Sequence, residues 1–406
     1  MAYGFQETLQ IVMEEFAIQR KAQKLNIPAV FGPPGIGKSD LGVEAAILDG
    51  VVTYRPVNIG DNADPTDVTG TPVPAGLLTL GRPDLATELS GTALKDWEEA
   101  MKRQGLSQNA SEERVERIIW AVNKVAWEAI VSPVLQLFDD FDKAPDSVQK
   151  GLIGLFGTRN YRDYKLHPLS LIMCAGNRVG DDILAGDLSQ SILGRVTVIT
   201  MEAKFEDFRK YAVENPTQIH KDVLMFLEVP GNRDLLFSPI EEGAYRAPSP
   251  RGWWEVSQHF FHLPDPNPSK KDELREWNRR RDGIIERKCG VGVMRQWNAW
   301  WEILRKVNID EILKTGVATM PSGEDATMFQ YACIFAVARH ITKAKIEKGW
   351  DGLKPFAESL KGEFRIALLV QIPSKKQAAL ARHYPEAVDV LMKDLVDEDD
   401  NATSGA

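Results

Sequence analysis

The sequence predicts an α/β core with a parallel five-stranded sheet, followed by an all-α domain. Three observations indicate this class. Apolar runs of strand length alternate with helical stretches over residues 1–204, which is typical of a parallel sheet covered by helices. From residue 205 onward the pattern is predominantly helical. A glycine-rich loop of the phosphate-binding kind follows the first predicted strand directly.

Length and composition bound the organisation. The chain has 406 residues, which corresponds to two or three domains. We divide it into a nucleotide-binding core over 1–204, a helical lid domain with an extension over 205–375, and a C-terminal segment over 376–406. That last segment is expected to hold one helix and an acidic, disordered tail.

The composition also excludes several classes of protein. Hydrophobic residues make up 43% and charged residues 26%, as in globular proteins that fold in water. No apolar run reaches the ~18 residues of a membrane span, and we see no secretory signal at the start. Three cysteines are too few for a disulfide framework. We therefore expect a cytoplasmic protein, and a net charge of −9 does not favour nonspecific nucleic-acid binding.

The first region opens with alternating elements. Apolar residues at helical spacing predict a helix over 5–25, and a strand follows over 27–31. A second helix and strand are predicted over 39–48 and 51–57. Proline, glycine and threonine predict that residues 64–83 are mostly loop.

The rest of the first region supplies the remaining helices and strands of the sheet. Helical patterns are predicted over residues 93–103 and 112–129. Apolar runs of strand length then occur over 134–138, 169–175 and 196–200. In the second region the predicted helices, all separated by prolines or glycines, cover 205–214, 217–228, 251–261, 270–288, 294–306, 326–348 and 357–369.

The phosphate-binding loop is the most specific motif of the chain. The run from Gly32 to Ser39 reads G-P-P-G-I-G-K-S and lies between a strand and a helix, as the motif requires. Lys38 would reach the β- and γ-phosphates of ATP, and the Ser39 hydroxyl would bind Mg²⁺. The alternative is a chance turn. The predicted nucleotide contacts are Pro34, Gly35, Ile36, Gly37, Lys38, Ser39 and Asp40.

A second apolar strand ends in two acids, Asp139 and Asp140. Asp139 would hold Mg²⁺ directly or through water. Asp140 follows at the position where a carboxylate can polarise an attacking water. The alternative reading is an acidic pair that caps a helix.

At this point the chain resembles the AAA+ ATPases, and among them the MoxR-like group. The stretch from Asp139 to Pro145 resembles the family's acidic pair followed by x-[ND]-[KR]-A-P. Residues 64–72 are similar to its D-P-[ST]-D-x-x-G-x-P segment. Residues 174–178 resemble the sensor 1 strand, 188–196 the element that presents the arginine finger, and 247–253 the T-P-R-x-W element of the lid.

The resemblance implies roles for three further residues. Asn177 would be the sensor that orients the lytic water, and Arg195 the finger that reaches into a neighbouring subunit. Arg251 would contact the γ-phosphate from the lid. A finger acting in trans implies a homo-oligomer, most often a hexameric ring. The resemblance also implies a von Willebrand A-domain adaptor and a protein client that the ATPase remodels.

Two features depart from the family's pattern. The metal-binding strand ends in Asp139-Asp140 where Asp-Glu is usual, and the shorter side chain is expected to slow hydrolysis. The segment of about 77–132 is longer than the family needs, which predicts a helical insertion that faces a partner.

Two other function classes stay open at this stage. One is a nucleic-acid motor or restriction-type translocase on the same core, and the other is an ATP-gated scaffold with weak hydrolysis. Residues 279–281 are three consecutive arginines, but interleaved acids predict a mostly solvated helix with ion pairs. Tyr161 and Tyr164 would either grip a substrate chain from a pore hairpin or pack within that hairpin.

Overall fold

The computed structural model describes most of the chain as two compact units. The described residues are 2–22, 27–51, 53–59, 64–74, 118–162, 164–181, 186, 188–240, 245–264, 270–319, 326–343, 346 and 349–393. The two units are Met1–Lys204 and Phe205–Ala406, and each is described by itself.

The first unit is built on a parallel sheet of five strands in the order β2-β5-β8-β1-β9, which confirms the predicted α/β class. Every residue of β1 and of β8 is buried, because helices cover both faces of a parallel sheet. The strands are β1 (Ile27–Phe31), β2 (Thr53–Asn58), β3 (Thr71–Pro74), β4 (Ile118–Ala121), β5 (Val134–Asp139), β6 (Asn160–Tyr161), β7 (Tyr164–Lys165), β8 (Leu171–Gly176) and β9 (Val196–Thr200).

The helices of this unit follow the strands along the chain. They are α1 (Phe5–Ala22), α2 (Lys38–Asp49), α3 (Pro65–Thr69), α4 (Lys124–Val131), α5 (Asp146–Thr158) and α6 (Gln190–Leu193). A 3-10 turn over Phe141–Lys143 joins β5 to α5. One apolar core cluster includes residues of β1, β5, β8, α4 and α5, so the elements that flank the end of β5 are held firmly.

Two predictions in this unit are wrong. Strand β3 lies inside the segment predicted as loop, and it pairs antiparallel with β4. Strand β4 in turn lies inside the helix predicted over 112–129. Isoleucine and tryptophan at 118–120 favour a strand once a partner is available. The helix begins only at α4, where the Asn123 side chain accepts a hydrogen bond from Ala126 N at 2.8 Å.

The segment predicted as an insertion, 77–132, ends inside the core. Ala126, Ala129 and Ile130 of α4 are almost fully buried and belong to the apolar cluster of the unit. This end of the segment is therefore an integral part of the first unit. Residues 75–117, which include the helix predicted over 93–103, lie outside the described residues.

The short hairpin β6–β7 packs its two tyrosines inward. Tyr161 is buried and its hydroxyl donates a hydrogen bond to Gln136 Oε1 at 2.9 Å. Burial raises the pKa of the Tyr161 phenol. Tyr164 is also buried, and its ring meets Trp127 edge-on with centroids 6.3 Å apart. The packed-hairpin reading is confirmed, and these rings are not free to grip a substrate chain.

Every regular element described in the second unit is helical. A 3-10 helix over Pro230–Leu236 follows the second helix, and residues 385–393 are also helical. The helices are α7 (Phe205–Glu214), α8 (Lys221–Glu228), α9 (Pro250–Phe261), α10 (Lys271–Cys289), α11 (Val291–Lys306), α12 (Ile309–Thr315), α13 (Ala326–Lys343), α14 (Leu353–Ser359), α15 (Gly362–Gln371) and α16 (Ser374–His383).

The single helix predicted over 357–369 is wrong, because α14 and α15 are separate. Leu360 lies between them in extended conformation and is buried, so the break places its side chain in the core. The predicted disordered tail falls on 394–406, outside the described residues. Across the described parts of both units, no helix combines the length and apolar character that crossing a bilayer requires.

Tryptophans form the centre of the second unit. Trp297 has no exposed surface, and its ring lies 4.9 Å from Phe226, 5.1 Å from Trp300 and 5.6 Å from Phe260, measured between centroids. Trp253 is likewise fully buried. Trp254, its neighbour in sequence, is instead 40% exposed. Aromatic packing of this density accounts for the cohesion of the helices α8, α9 and α11.

Arg281 corrects the prediction of a solvated arginine run. Its guanidinium carbon lies 5.2 Å from the Trp277 ring centroid and 5.0 Å from that of Trp301, and only 3% of the residue is exposed. It donates hydrogen bonds to Asp282 and Asn298. Burial lowers its pKa. Arg279 does follow the prediction, because it is exposed and pairs with an acid on the same helix.

All three cysteines of the chain are buried as free thiols. Burial raises the pKa of Cys174 well above its ordinary value and that of Cys333 to about 12. Burial also raises the pKa of Cys289. The thiolate is the reactive form of cysteine, so these side chains are inert packing groups.

Candidate functional site

The phosphate loop has the geometry that its glycines permit. It connects β1 to α2, and Gly35 and Gly37 adopt φ angles of 78° and 97°, which residues with a Cβ rarely adopt. A Cβ at Gly32 would come within 2.3 Å of the Met201 carbonyl oxygen, so only glycine fits there. Pro34 and Asp40 are exposed at the loop, whereas Ile36 is buried.

Lys38 lies folded inside the loop, with 8% of the residue exposed. Its ammonium group donates hydrogen bonds to the carbonyl oxygens of Gly32 at 2.8 Å and Pro33 at 2.7 Å. A third bond runs to Asn177 Oδ1 at 3.0 Å. An ammonium group has three donors, so these three acceptors satisfy it while the loop holds this conformation.

The predicted metal ligands meet at the start of α2. Ser39 Oγ donates a hydrogen bond to Asp139 Oδ2 at 2.6 Å. A hydroxyl and a carboxylate at this distance form a partial ligand set of the oxygen type that Mg²⁺ prefers. In the described parts of the chain, no three His, Cys, Asp or Glu side chains group together as a metal site. A hydroxyl and one carboxylate leave the remaining positions around a Mg²⁺ ion to phosphate and water oxygens.

Sheet order explains why Asn177 lies between the two motifs. Strand β8 runs between β1 and β5, and Asn177 directly follows β8. Its side chain therefore lies at the carboxyl ends of the strands, beside the phosphate loop and Asp139, because the strands of a parallel sheet all run in one direction. Asn177 is 6% exposed. The amide can both donate and accept hydrogen bonds, as a group that orients a water must.

Asp140 has a different environment from the one that the sequence predicts for a water-polarising carboxylate. Its backbone is in the left-handed region, with φ 52° and ψ 37°. Its backbone N–H donates to Asp139 Oδ1 at 3.0 Å. Lys143 Nζ lies 2.9 Å from Asp140 Oδ1, so the carboxylate is occupied by an ion pair on its own 3-10 turn.

Asp142 is a buried carboxylate that the predicted site residues omit. Its Oδ1 accepts a hydrogen bond from Asn177 N at 2.8 Å, and the residue is 2% exposed. Its Oδ2 is buried, with no hydrogen-bond partner among the described residues. Desolvation by burial raises the pKa of Asp142. The signal that points to it is its place in the motif, two residues after Asp140 and before Lys143.

The close approach at Gly176 shows how tightly Asp142 is fitted. A Cβ at Gly176 would lie 2.7 Å from Asp142 Oδ1, so the last residue of β8 has to be glycine. Gly186 N also donates to the Asp142 carbonyl oxygen at 2.9 Å. The hydrogen bond from Asn177 N to Asp142 Oδ1 joins the turn after β5 to the residue that follows β8. Asp142 thus fixes the backbone from which Asn177 projects.

The two other predicted site residues are Arg195 and Arg251, one in each unit. Arg195 follows α6 on the first unit, is partly exposed, and donates from Nη1 to the Ser191 carbonyl oxygen at 2.6 Å. Arg251 belongs to the second unit, where it is an exposed residue in the first turn of α9. Ser249 caps that helix by accepting from Gly252 N. Within the first unit, the structure thus brings together Lys38, Ser39, Asp139 and Asn177, whereas Arg195 bonds to Ser191.

Comparisons with known proteins give low similarity. No protein-family model matches the sequence, and no curated protein matches it. The Thermotoga maritima RuvB Holliday junction branch migration motor is 12% identical with a TM-score of 0.33, over 64% of this chain and 61% of that one. A threonine-to-valine mutant of it gives 12% and 0.32 over 64% and 61%. An alanine-to-serine mutant gives 11% and 0.29 over 76% and 74%.

The chain thus spans about three-fifths of the length of the first two of these structures.

Proposed function

We propose that this protein is an ATPase that binds ATP with Mg²⁺ and hydrolyses the γ-phosphate with water. One observation carries the proposal. Two side-chain contacts connect the segments that follow β1, β5 and β8 at the carboxyl ends of these strands. They join Ser39 Oγ to Asp139 Oδ2 and Lys38 Nζ to Asn177 Oδ1. This end of the sheet therefore combines a phosphate-binding loop, a pair of oxygen ligands for a cation and an amide that can orient water.

Each residue has a task that its position supports. The backbone N–H groups of the loop, with the N-terminus of α2, would cradle the phosphates, and Lys38 would bind the β- and γ-phosphates. Ser39 and Asp139 would hold Mg²⁺, which neutralises charge on the phosphates. Asn177 would orient the attacking water, and Asp140 would polarise it after release from Lys143.

We further propose that the protein is an AAA+ ATPase of the MoxR-like group. The proposal rests on the run of motifs from Gly32 to Arg251 in the family's order. Arg195 would act as a finger in the site of a neighbouring subunit, which requires a ring, most often a hexamer. Its partly exposed position on the first unit supports this role. Arg251 would act as the lid arginine, and its exposure at the start of α9 supports that role.

The output that we propose is remodelling or activation of a protein client, with a von Willebrand A-domain protein as adaptor. The resemblance to MoxR-like proteins supports it. The net charge of −9 also favours a protein client over a polyanion gripped along its length.

A second candidate function is an ATP-gated scaffold with weak hydrolysis. The ion pair between Asp140 and Lys143 favours it, because Lys143 Nζ at 2.9 Å occupies an oxygen of the carboxylate that would polarise the water. The aspartate is also one methylene shorter than the usual glutamate. Such a scaffold would bind ATP and assemble without turnover.

Steady-state ATPase activity with Mg²⁺ tests both candidates. We expect turnover by the intact protein, and loss of turnover in Lys38→Ala and Arg195→Ala. Arg195→Ala should still bind ATP and assemble, as read by light scattering. Lys150→Ala is the matched control, because Lys150 is largely exposed and pairs only with Asp146 on its own helix.

The outcomes separate the candidates. Binding and assembly without hydrolysis under any addition would reject the remodelling ATPase and leave the scaffold. Absence of ATP binding by the intact protein would reject both. Stimulation by DNA or RNA that weakens with salt would point instead to the nucleic-acid motor, whereas a protein adaptor should stimulate the proposed chaperone.

A further inference from the structure

A basic cleft lies in the second unit, between α9 and α10. Its volume is about 370 Å³. The lining residues are His259, Glu276, Arg279, Arg280, Ile284 and Arg287. Those on α10 are spaced by three or four residues, so they form one face of that helix. The cleft is therefore a feature of helix packing and not of a loop.

The cleft carries positive charge that its own acids do not neutralise. Arg279 Nη2 pairs with Glu276 Oε2 at 2.7 Å. Arg280 and Arg287 are exposed, and neither has a carboxylate oxygen within 4.0 Å in the described parts of the chain. Two guanidinium groups thus face a shared cleft in a protein whose net charge is −9.

The chemistry of the lining selects one class of ligand. A guanidinium binds carboxylate or phosphate oxygens through two parallel hydrogen bonds, and a histidine ring can add another N–H. The only apolar lining residue is Ile284, and the only aromatic ring is that of His259. We propose that this cleft binds a compact, multiply charged oxyanion and recognises its charged groups, with no pocket for a nucleobase.

Such an oxyanion has two possible sources. One is a free small polyanion such as a short polyphosphate. The other is the chain itself, because residues 394–400 read D-L-V-D-E-D-D and carry five carboxylates. This acidic run lies outside the described residues and follows Lys393 directly. Both sources present clustered negative oxygens, which is the shared chemistry that the arginines fit.

Calorimetric titration with inorganic tripolyphosphate tests the site. The full-length protein would carry Lys38→Ala, so that the phosphate loop adds no second site whether or not the proposed ATPase function holds. We expect saturable binding that weakens when salt is raised from 50 to 200 mM. Arg280→Gln and Arg287→Gln should each weaken the affinity roughly tenfold, as expected when a charge-assisted hydrogen bond is lost.

Arg275→Gln is the matched control. Arg275 is on the same helix, is 83% exposed and does not line the cleft, so its substitution should change the affinity less than about twofold. All three arginines are exposed, so glutamine should leave the helix folded, which circular dichroism checks. Absence of saturable binding, or equal affinity in all the arginine variants, would overturn the proposal.

A second measurement identifies the source of the oxyanion. Binding is measured again in a chain that ends at Lys393. Affinity that rises after this truncation shows that the acidic run occupies the cleft in the intact chain. Affinity that stays the same, with the arginine dependence intact, supports a free small polyanion. If tripolyphosphate binds neither chain, the cleft is not an oxyanion site.

Discussion

The buried charged groups of the candidate site in the first unit and the buried Arg281 of the second unit have different surroundings. In the first unit, buried Lys38 and Asp142 make hydrogen bonds to residues of other elements, at the edge where strands β1, β5 and β8 end. In the second unit, buried Arg281 packs against two tryptophan rings whose centroids are 5.7 Å apart. It pairs with Asp282, the next residue in sequence, and donates a hydrogen bond to Asn298 of α11. The first arrangement groups polar side chains at the strand ends, and the second packs a cation within an aromatic core.

This difference leads to opposite expectations for substitutions. Changes at the strand ends should reduce turnover with a modest loss of stability, because each removes one hydrogen bond from a well-supported edge. Changes among the tryptophans should reduce stability and leave nucleotide affinity in the first unit unaltered.

Trp297→Ala should give the largest effect. Trp297 has no exposed surface and contacts five aromatic rings, so its truncation should lower the free energy of unfolding by about 3–5 kcal/mol. Urea unfolding followed by tryptophan fluorescence measures this. ATP affinity should be unchanged where the variant is folded.

Trp254→Ala is its control. Trp254 is 40% exposed and donates to Gln218, so its loss should lower the free energy of unfolding by about 1 kcal/mol. Equal destabilisation by the two substitutions would contradict a core centred on Trp297.

Asn177→Ala should reduce kcat about 100-fold, the effect expected when a group that orients the attacking water is lost. The free energy of unfolding should fall only by about 1 kcal/mol, because one side-chain hydrogen bond to Lys38 disappears. Single-turnover ATPase rates and urea unfolding give the two values. An Asn177→Ala variant that unfolds easily yet hydrolyses ATP normally would contradict the expectation that changes at the strand ends lower turnover more than stability.

Arg281→Ala should lower the free energy of unfolding by about 2 kcal/mol, since Asp282 and Asn298 lose their donor and two tryptophan faces lose their cation. The measurement is urea unfolding, with ATPase activity as a second reading that should not change. Arg275→Ala, on the exposed side of the same helix, should be neutral in both.

Asp142 provides the smallest and most specific test. Asp142→Ala leaves the Asn177 N–H without its acceptor and should lower the free energy of unfolding by about 1–2 kcal/mol. Asp142→Asn keeps an acceptor oxygen and should be milder. kcat should follow the same order, with the Kd for ATP unchanged. Equal behaviour of the two variants would show that the hydrogen bond to Asn177 is not what matters.

The pH dependence of the same residue has a definite sign. Burial raises the pKa of Asp142, so its protonated form is the one that folding favours. Its contribution to stability is complete below the unfolded aspartate pKa of about 3.9 and is lost as pH rises through the raised pKa. Asp142→Asn lacks that titration. The stability of this variant relative to wild type should therefore improve from pH 4 upward, measured by urea unfolding.

The sequence was sufficient to predict the sheet, and it named the residues that meet in the candidate site. Four of its five parallel strands are short apolar runs, and Lys38 and Ser39 belong to a motif with fixed spacing. Asp142 was not singled out because its burial depends on the close approach of Gly176. No local sequence pattern shows that strand β8 ends next to Asp142. The sequence does not predict the ion pair between Asp140 and Lys143, because only the 3-10 turn of the backbone brings these two side chains together.

The missed elements depended on distant partners. The strand β4 has a helical pattern in isolation, and only pairing with β3, far earlier in the chain, decides its conformation. Arg281 sits in a run of arginines that looks solvated, and its burial requires Trp301 from the following helix. Local sequence carries neither fact.

The three bonds that satisfy Lys38 mean that its ammonium group already has an internal ligand. A phosphate that binds Lys38 must compete with Asn177 and two carbonyl oxygens. Binding would therefore replace existing hydrogen bonds of the ammonium group. The observed affinity is then the intrinsic affinity reduced by the share of molecules in which the lysine is disengaged. Under the proposed function, the same exchange would free the Asn177 oxygen when the phosphate binds, which would couple arrival of the nucleotide to the orientation of water.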